Sequence, residues 1–136
     1  MTVAPPSRPA SRAGRWLPVA VYAVAIFVVS HLPAPPPLPG GASDKHGHMA
    51  AYAGLSALTL RALAHARWAH VTTGRAAVAA LGATLYGASD ELHQWFVPTR
   101  DADLGDLAAD AAGAAAAAAL ALVMARFRAG RGSDRI

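Results

Sequence analysis

Residues 16–32 read WLPVAVYAVAIFVVSHL, a run with no Asp, Glu, Lys or Arg. Its length is close to the roughly 20 apolar residues that carry an α-helix across a bilayer. Arg8, Arg12 and Arg15 precede it, as they would precede either a secretory signal or a first membrane anchor. A cleavable signal ends in small residues before the cut. Here the run ends His31-Leu32-Pro33 and continues Ala34-Pro35-Pro36-Pro37, so a retained anchor is expected. Pro18 is expected in the first turn of that helix, where a missing N–H costs little.

Working outward, Pro33–Gly41 is dense in Pro and Gly and predicts an extended external connection. Ser43-Asp44 offers N-cap chemistry to a second helix, from about Lys45 to Ala66, with Arg61 snorkelling at its inner end. A third helix is expected from about Ala76 to Phe96 and a fourth from about Leu104 to Ala125. Alanine, unbroken from Ala114 to Ala119, suits a soluble helix as well as a membrane one, and it is the first run that decides for the membrane. Gly82, Gly87, Ala109 and Gly113 leave smooth surfaces on which helices can approach closely. The expected fold is an all-α membrane protein, a four-transmembrane-helix bundle over residues 15–125. A basic N-terminal tail, 1–14, and a basic C-terminal tail, 126–136, flank it.

Composition agrees with a single domain: 54% of 136 residues are hydrophobic and 15% charged. The net charge of +4 does not point to nucleic acid, because the basic residues sit in blocks beside apolar segments. The absence of cysteine rules out a disulfide framework and thiolate metal sites. Arg8, Arg12 and Arg15, then Arg61, Arg67 and Arg75, then Arg126, Arg128, Arg131 and Arg135 alternate with segments carrying only Lys45 and Arg100. Cytoplasmic flanks are enriched in Lys and Arg, so both termini are expected in the cytoplasm. Asp44, Asp90, Glu91, Asp101, Asp103, Asp106 and Asp110 then fall together on the outer side.

Spacing turns these groups into stripes. Asp103, Asp106, Asp110 and Gly113 stand at i, i+3, i+7 and i+10, one face of a helix; Lys45, His48 and Tyr52 repeat the rhythm, as do Tyr86, Asp90, His93 and Gln94. Three helices thus turn polar stripes toward one depth. An ionisable group within a membrane is normally kept only when it is paired, faces a cavity or is useful. The alternative for each residue is a structural one, with Lys45 and Arg100 neutralising carboxylates and clamping helix ends together.

The segments Asp44-Lys45-x-x-His48 with Tyr52, Tyr86-Gly87-x-x-Asp90-Glu91-Leu92-His93-Gln94-x-Phe96-Val97-Pro98-x-Arg100, and Asp106-Leu107-x-Ala109-Asp110-x-x-Gly113 resemble the VanZ-like family of small bacterial membrane proteins. The resemblance covers about residues 15 to 125. It departs at Thr99, where the family more often has Gly, and at Asp110, where many members carry Asn. By position, Lys45, His48, Glu91, Gln94, Arg100, Asp106 and Asp110 match the family's recurrent polar residues. The resemblance implies a multi-pass protein of the bacterial cytoplasmic membrane. The family's founding member is linked to teicoplanin resistance, and most relatives have no assigned reaction.

Two classes of function remain from the sequence. In one, a non-catalytic envelope factor binds a membrane lipid, glycolipid or lipid-linked cell-wall precursor at its headgroup. Lys45 and Arg100 would meet phosphate, and His48, Tyr52, Glu91, Gln94, Asp106 and Asp110 would complete the site. In the other, a hydrolase or transferase acts on a lipid-linked substrate, with His48 or His93 as general base oriented by Glu91 or Asp106. A metal-assisted version would draw on His46, His48, Asp90, Glu91, His93 and Asp106; Asp90 and His93 at i, i+3 resemble half of a bundle-type metal site with no second copy, and no cofactor is expected.

Overall fold

The computed structural model describes residues 11–33 and 37–133. Residues 1–10 with Arg8, residues 34–36 of the Pro-rich connection, and residues 134–136 with Arg135 lie outside the described residues. Four helices follow one another: α1 (Arg12–Ser30), α2 (Asp44–Leu63), α3 (Thr73–Gln94) and α4 (Leu104–Ser133). Single 3-10 turns at Pro39–Gly41 and Trp68–His70 interrupt the connections. No strand occurs among the described residues.

The helix starts follow local capping. Ser11 Oγ accepts from the Gly14 N–H at 3.1 Å and Thr72 Oγ1 accepts from the Arg75 N–H at 3.3 Å. Because α1 begins at Arg12, earlier than expected, Pro18 falls in its second turn and forgoes a bond to the Gly14 carbonyl. Ser43 takes the N-cap position of α2 without a capping bond, since its hydroxyl pairs with His46 Nδ1 at 2.7 Å. α4 runs past Ala125 into the expected tail, because Arg126, Arg128 and Ala129 are good helix formers and no proline intervenes, and the helix carries through Gly130 and Gly132 to Ser133. The Pro-rich connection is not extended throughout, as Gly40 and Gly41 close a tight turn at φ +70°.

Consecutive helices run in opposite directions. Ser30 at the end of α1 meets Asp90 near the end of α3, and Lys45 at the start of α2 meets Asp106 at the start of α4. α2 touches all three other helices, whereas α1 rests on α2, brushes α3 and does not reach α4. The core is built largely of small residues. Tyr52 and Leu55 pack with Ala83 and Ala114, and Leu60 packs with Ala76, Ala79 and Ala118. Small side chains let helix backbones close in, and Gly113 takes this furthest: a Cβ there would overlap the Met49 carbonyl oxygen of α2. Beside it, Ser56 Oγ donates to the Ala114 carbonyl at 2.9 Å in the buried seam.

Of the four helices, α1 and α4 are long and apolar enough to cross a membrane; α2 and α3 fall outside that criterion. Large apolar side chains nevertheless cover the outside of the bundle. Leu17, Val21, Val24 and Val28 on α1, and Val78, Leu81, Leu85 and Leu92 on α3, are exposed. An apolar surface of this extent is uncommon on a soluble monomer and suggests a membrane protein.

The close contact of α2 with α4 is testable. Replacing Gly113 by valine forces the two backbones apart and is expected to lower stability by about 1–3 kcal/mol. Gly82→Ala, where a methyl meets nothing within 4 Å, is expected to be neutral or to stabilise by up to about 1 kcal/mol. Unfolding of the purified chain in detergent would measure both.

Candidate functional site

Where α1 and α3 end and α2 and α4 begin, the polar stripes meet. Asp103 organises the junction. Its Oδ1 accepts from the Gly105 N–H at 2.7 Å and so caps α4, while its Oδ2 takes Lys45 Nζ of α2 at 2.6 Å. Its own N–H donates to Glu91 Oε2 of α3 at 2.9 Å. A single residue thereby ties the start of α4 to two other helices.

One turn deeper, Lys45 Nζ also donates to Asp106 Oδ1 at 3.0 Å. His48 lies between the acids of α4, with Nδ1 3.0 Å from Asp110 Oδ1 and Nε2 4.0 Å from Asp106 Oδ2. Glu91 Oε1 stands 4.0 Å from the same Nδ1. Asp110 is fully buried, and it fits because α3 presents Gly87 opposite, where a Cβ would lie 2.5 Å from Asp110 Oδ2. Tyr52, one turn below His48, stacks parallel to its ring at 6.4 Å.

A second chain of contacts runs alongside. Arg100 Nη2 donates to Gln94 Oε1 at 3.0 Å, Gln94 Nε2 donates to Asp90 Oδ2 at 3.3 Å, and Ser30 Oγ of α1 donates to the same Asp90 oxygen at 2.6 Å. Thr99, before Arg100, has φ +70°, so the turn a glycine would make is kept, at a cost of about 1–2 kcal/mol. Its hydroxyl partly offsets that cost by donating to the Pro33 carbonyl at 2.8 Å.

The structure therefore brings together Lys45, His48, Tyr52, Glu91, Gln94, Arg100, Asp106 and Asp110 at one end of the bundle. It does not bring in His93, which turns toward α1 and pairs its Nε2 with His31 Nδ1 at 3.1 Å against the Phe27 ring. His46 is exposed and engaged with Ser43. Asp90 belongs to the Gln94–Ser30 chain rather than to the His48 cluster. The histidines and acids that spacing placed on one face of a helix thus face different neighbours. Ser30 was not singled out by sequence reasoning, although a hydroxyl near the end of an otherwise apolar run was a usable signal.

Between α1 and α2 lies a cavity of about 350 Å³. Tyr22, Ile26 and Val29 of α1 form its apolar wall with Leu38, and Asp44, His48, Asp90 and Arg100 lie at its polar end. Lys45 does not line it, since its ammonium is taken by Asp103 and Asp106. At the opposite end of the bundle Arg12 and Arg15 gather beside His65, and Arg128 stacks on Trp68 at 4.6 Å, so acids and bases are segregated by end.

The pairing with Lys45 holds the Asp103 carboxyl below the ordinary aspartate range, and the Gly105 N–H acts in the same direction. An acid depressed in the folded state contributes stability above its unfolded pKa and loses it as pH falls through the folded value. The α2–α4 tie is therefore expected to persist at pH 5 and to weaken only below the usual aspartate value of about 3.9. Lys45→Met is expected to move the Asp103 midpoint upward, read by carboxyl ¹³C NMR of the labelled protein.

No curated protein and no solved structure matches the chain. The VanZ/LLP1 family model, in contrast, matches residues 19–125, a stretch running from early α1 to deep in α4 and including every residue of the junction. With most of its length covered and its polar motifs assembled at one end of the bundle, the chain belongs to the VanZ/LLP1 family.

Proposed function

We propose that this protein is a four-span component of the bacterial cytoplasmic membrane that binds a lipid or glycolipid headgroup at its polar end without transforming it. The observation that carries the reading is the two-faced cavity between α1 and α2, apolar along Tyr22, Ile26 and Val29 and polar at Arg100, His48 and Asp90. An amphipathic molecule matches that division, with its chain along α1 and its phosphate at the guanidinium. Among the described residues Arg100 makes one side-chain hydrogen bond, to Gln94, which leaves further donors for a ligand. Gln94 then positions Arg100, and Lys45, Glu91, Asp106 and Asp110 support His48 from behind.

The lengths of α2 and α3, 20 and 22 residues, give about 30 and 33 Å at 1.5 Å per residue, enough for the hydrocarbon thickness. Their charges cluster near the helix ends, where the insertion penalty is smaller. Segregation of Arg12, Arg15, Arg61, Arg67, Arg75, Arg126 and Arg128 from the acidic end favours both termini inside and the cavity's polar end outside. Such a protein, holding an envelope lipid by its headgroup at the outer face of the membrane, would contribute to tolerance of teicoplanin-type glycopeptides.

Because the chain has no cysteine, topology can be tested with single replacements. Ala102→Cys in intact cells is expected to react with an impermeant maleimide, and Ala129→Cys only after permeabilisation. The reverse pattern would overturn the orientation. Binding is tested by native mass spectrometry of the full chain with phosphatidylglycerol and with a polyprenyl phosphate. Arg100→Gln is expected to weaken retention about tenfold or more, the loss of roughly one charge-assisted contact. Equal retention by Arg100→Gln and the unaltered chain would sink the headgroup reading.

A further inference from the structure

The buried acids of the junction outnumber the cations that reach them. Asp90, Glu91, Asp106 and Asp110 are all buried. Lys45 is shared between Asp103 and Asp106, and Arg100 bonds to Gln94, so neither permanent cation bonds to Glu91 or Asp110. Uncompensated charge at such a position is expensive. Three carboxylate oxygens make the shortfall concrete: Asp90 Oδ1, Glu91 Oε1 and Asp110 Oδ2 are buried with no hydrogen-bond partner.

We infer that His48, Glu91 and Asp110 form a binding site for a divalent transition-metal ion, with zinc and manganese the ions best suited to its donors. One ligand atom from each of these residues, on α2, α3 and α4, lies within 4.8 Å of the others. His48 Nδ1 is 3.0 Å from Asp110 Oδ1 and 4.0 Å from Glu91 Oε1. Those distances bracket the separation of about 3.3 Å between ligand atoms around a tetrahedral ion with bonds of about 2.0–2.1 Å.

The surroundings of the three ligands match what metal sites require. Glu91 Oε2 is held by the Asp103 N–H, which leaves Oε1 directed toward His48 Nδ1 as a single donor. Asp106 Oδ2 lies 4.0 Å from His48 Nε2, beyond hydrogen-bond distance but on the side from which a carboxylate orients a ligating imidazole when it closes in. A doubly charged ion balances two carboxylates, and one neutral imidazole with two carboxylates suits zinc or manganese. Three protein ligands leave at least one coordination position for water or another oxygen donor. A second grouping, Asp44 with His48 and Asp106, also comes together, but Asp44 is exposed and Asp106 already holds Lys45.

The test uses the full chain purified in detergent, stripped of metal and then titrated with zinc, manganese and cobalt. One ion per chain is expected by elemental analysis, with cobalt giving ligand-field absorption. Glu91→Gln keeps the size of the side chain and an acceptor for the Asp103 N–H, and is expected to weaken affinity at least about tenfold. Asp110→Asn is expected to do the same, while Asp44→Asn leaves affinity unchanged. Thermal unfolding of metal-free variants separates lost ligation from lost folding. Failure of the unaltered chain to bind any of the three ions would overturn the proposal, as would unchanged affinity in a folded Glu91→Gln. No lipid enters the measurement, so its outcome is independent of the headgroup reading.

Discussion

Asp110 is wholly buried where three helices meet, and the packing around it makes room for a carboxyl group at that depth. His48 approaches one oxygen from α2, and Gly87 of α3 recedes before the other. Gly113, three residues further along α4, lets α2 come close enough for His48 to reach. Leaving one partner of such a buried hydrogen bond unpaired typically costs about 1–3 kcal/mol, more than an exposed ion pair contributes. The arrangement of α2, α3 and α4 is therefore bound to the chemistry of this end of the bundle.

Asp103 complements that depth from the surface. As cap of α4, partner of Lys45 and donor to Glu91, it sets the register of α4 against α2 and α3. Lys45 is consumed in this role, which leaves Arg100 as the cation at the cavity. α1 stands apart from the tightly packed trio: only Ile26 and Ser30 are buried along it. It is joined by Tyr86 donating to the Ala23 carbonyl at 2.8 Å and by Ser30 on Asp90. A helix so lightly attached beside α2 is what leaves a cavity between them.

Much of this was legible in the sequence. The helix pattern, the polar ends and the family motifs are local features, and each of the four expected helices exists within a few residues of its predicted limits, except that α4 continues from Ala125 to Ser133. The misplacements have identifiable causes. Pro18 moved into the second turn because Ser11, not a residue nearer Trp16, caps α1. Ser43 lost its capping bond to a competing imidazole. Thr99 kept a glycine-like turn because the Pro33 carbonyl was within reach of its hydroxyl.

By itself, the sequence determined four helices, the segregation of acids from bases along the chain and a family, because hydrophobic periodicity and motif spacing are properties of neighbouring residues. Spacing places a side chain on a face but does not choose its partner across a helix interface. Only the tertiary structure decided that Lys45 goes to Asp103 and Asp106, that His93 turns away to His31, and that Ser30 reaches Asp90. Those choices depend on how far each helix is rotated and how closely it packs. Contacts such as Met49 on Gly113 and Asp110 on Gly87 set both, between residues more than 20 positions apart in the chain.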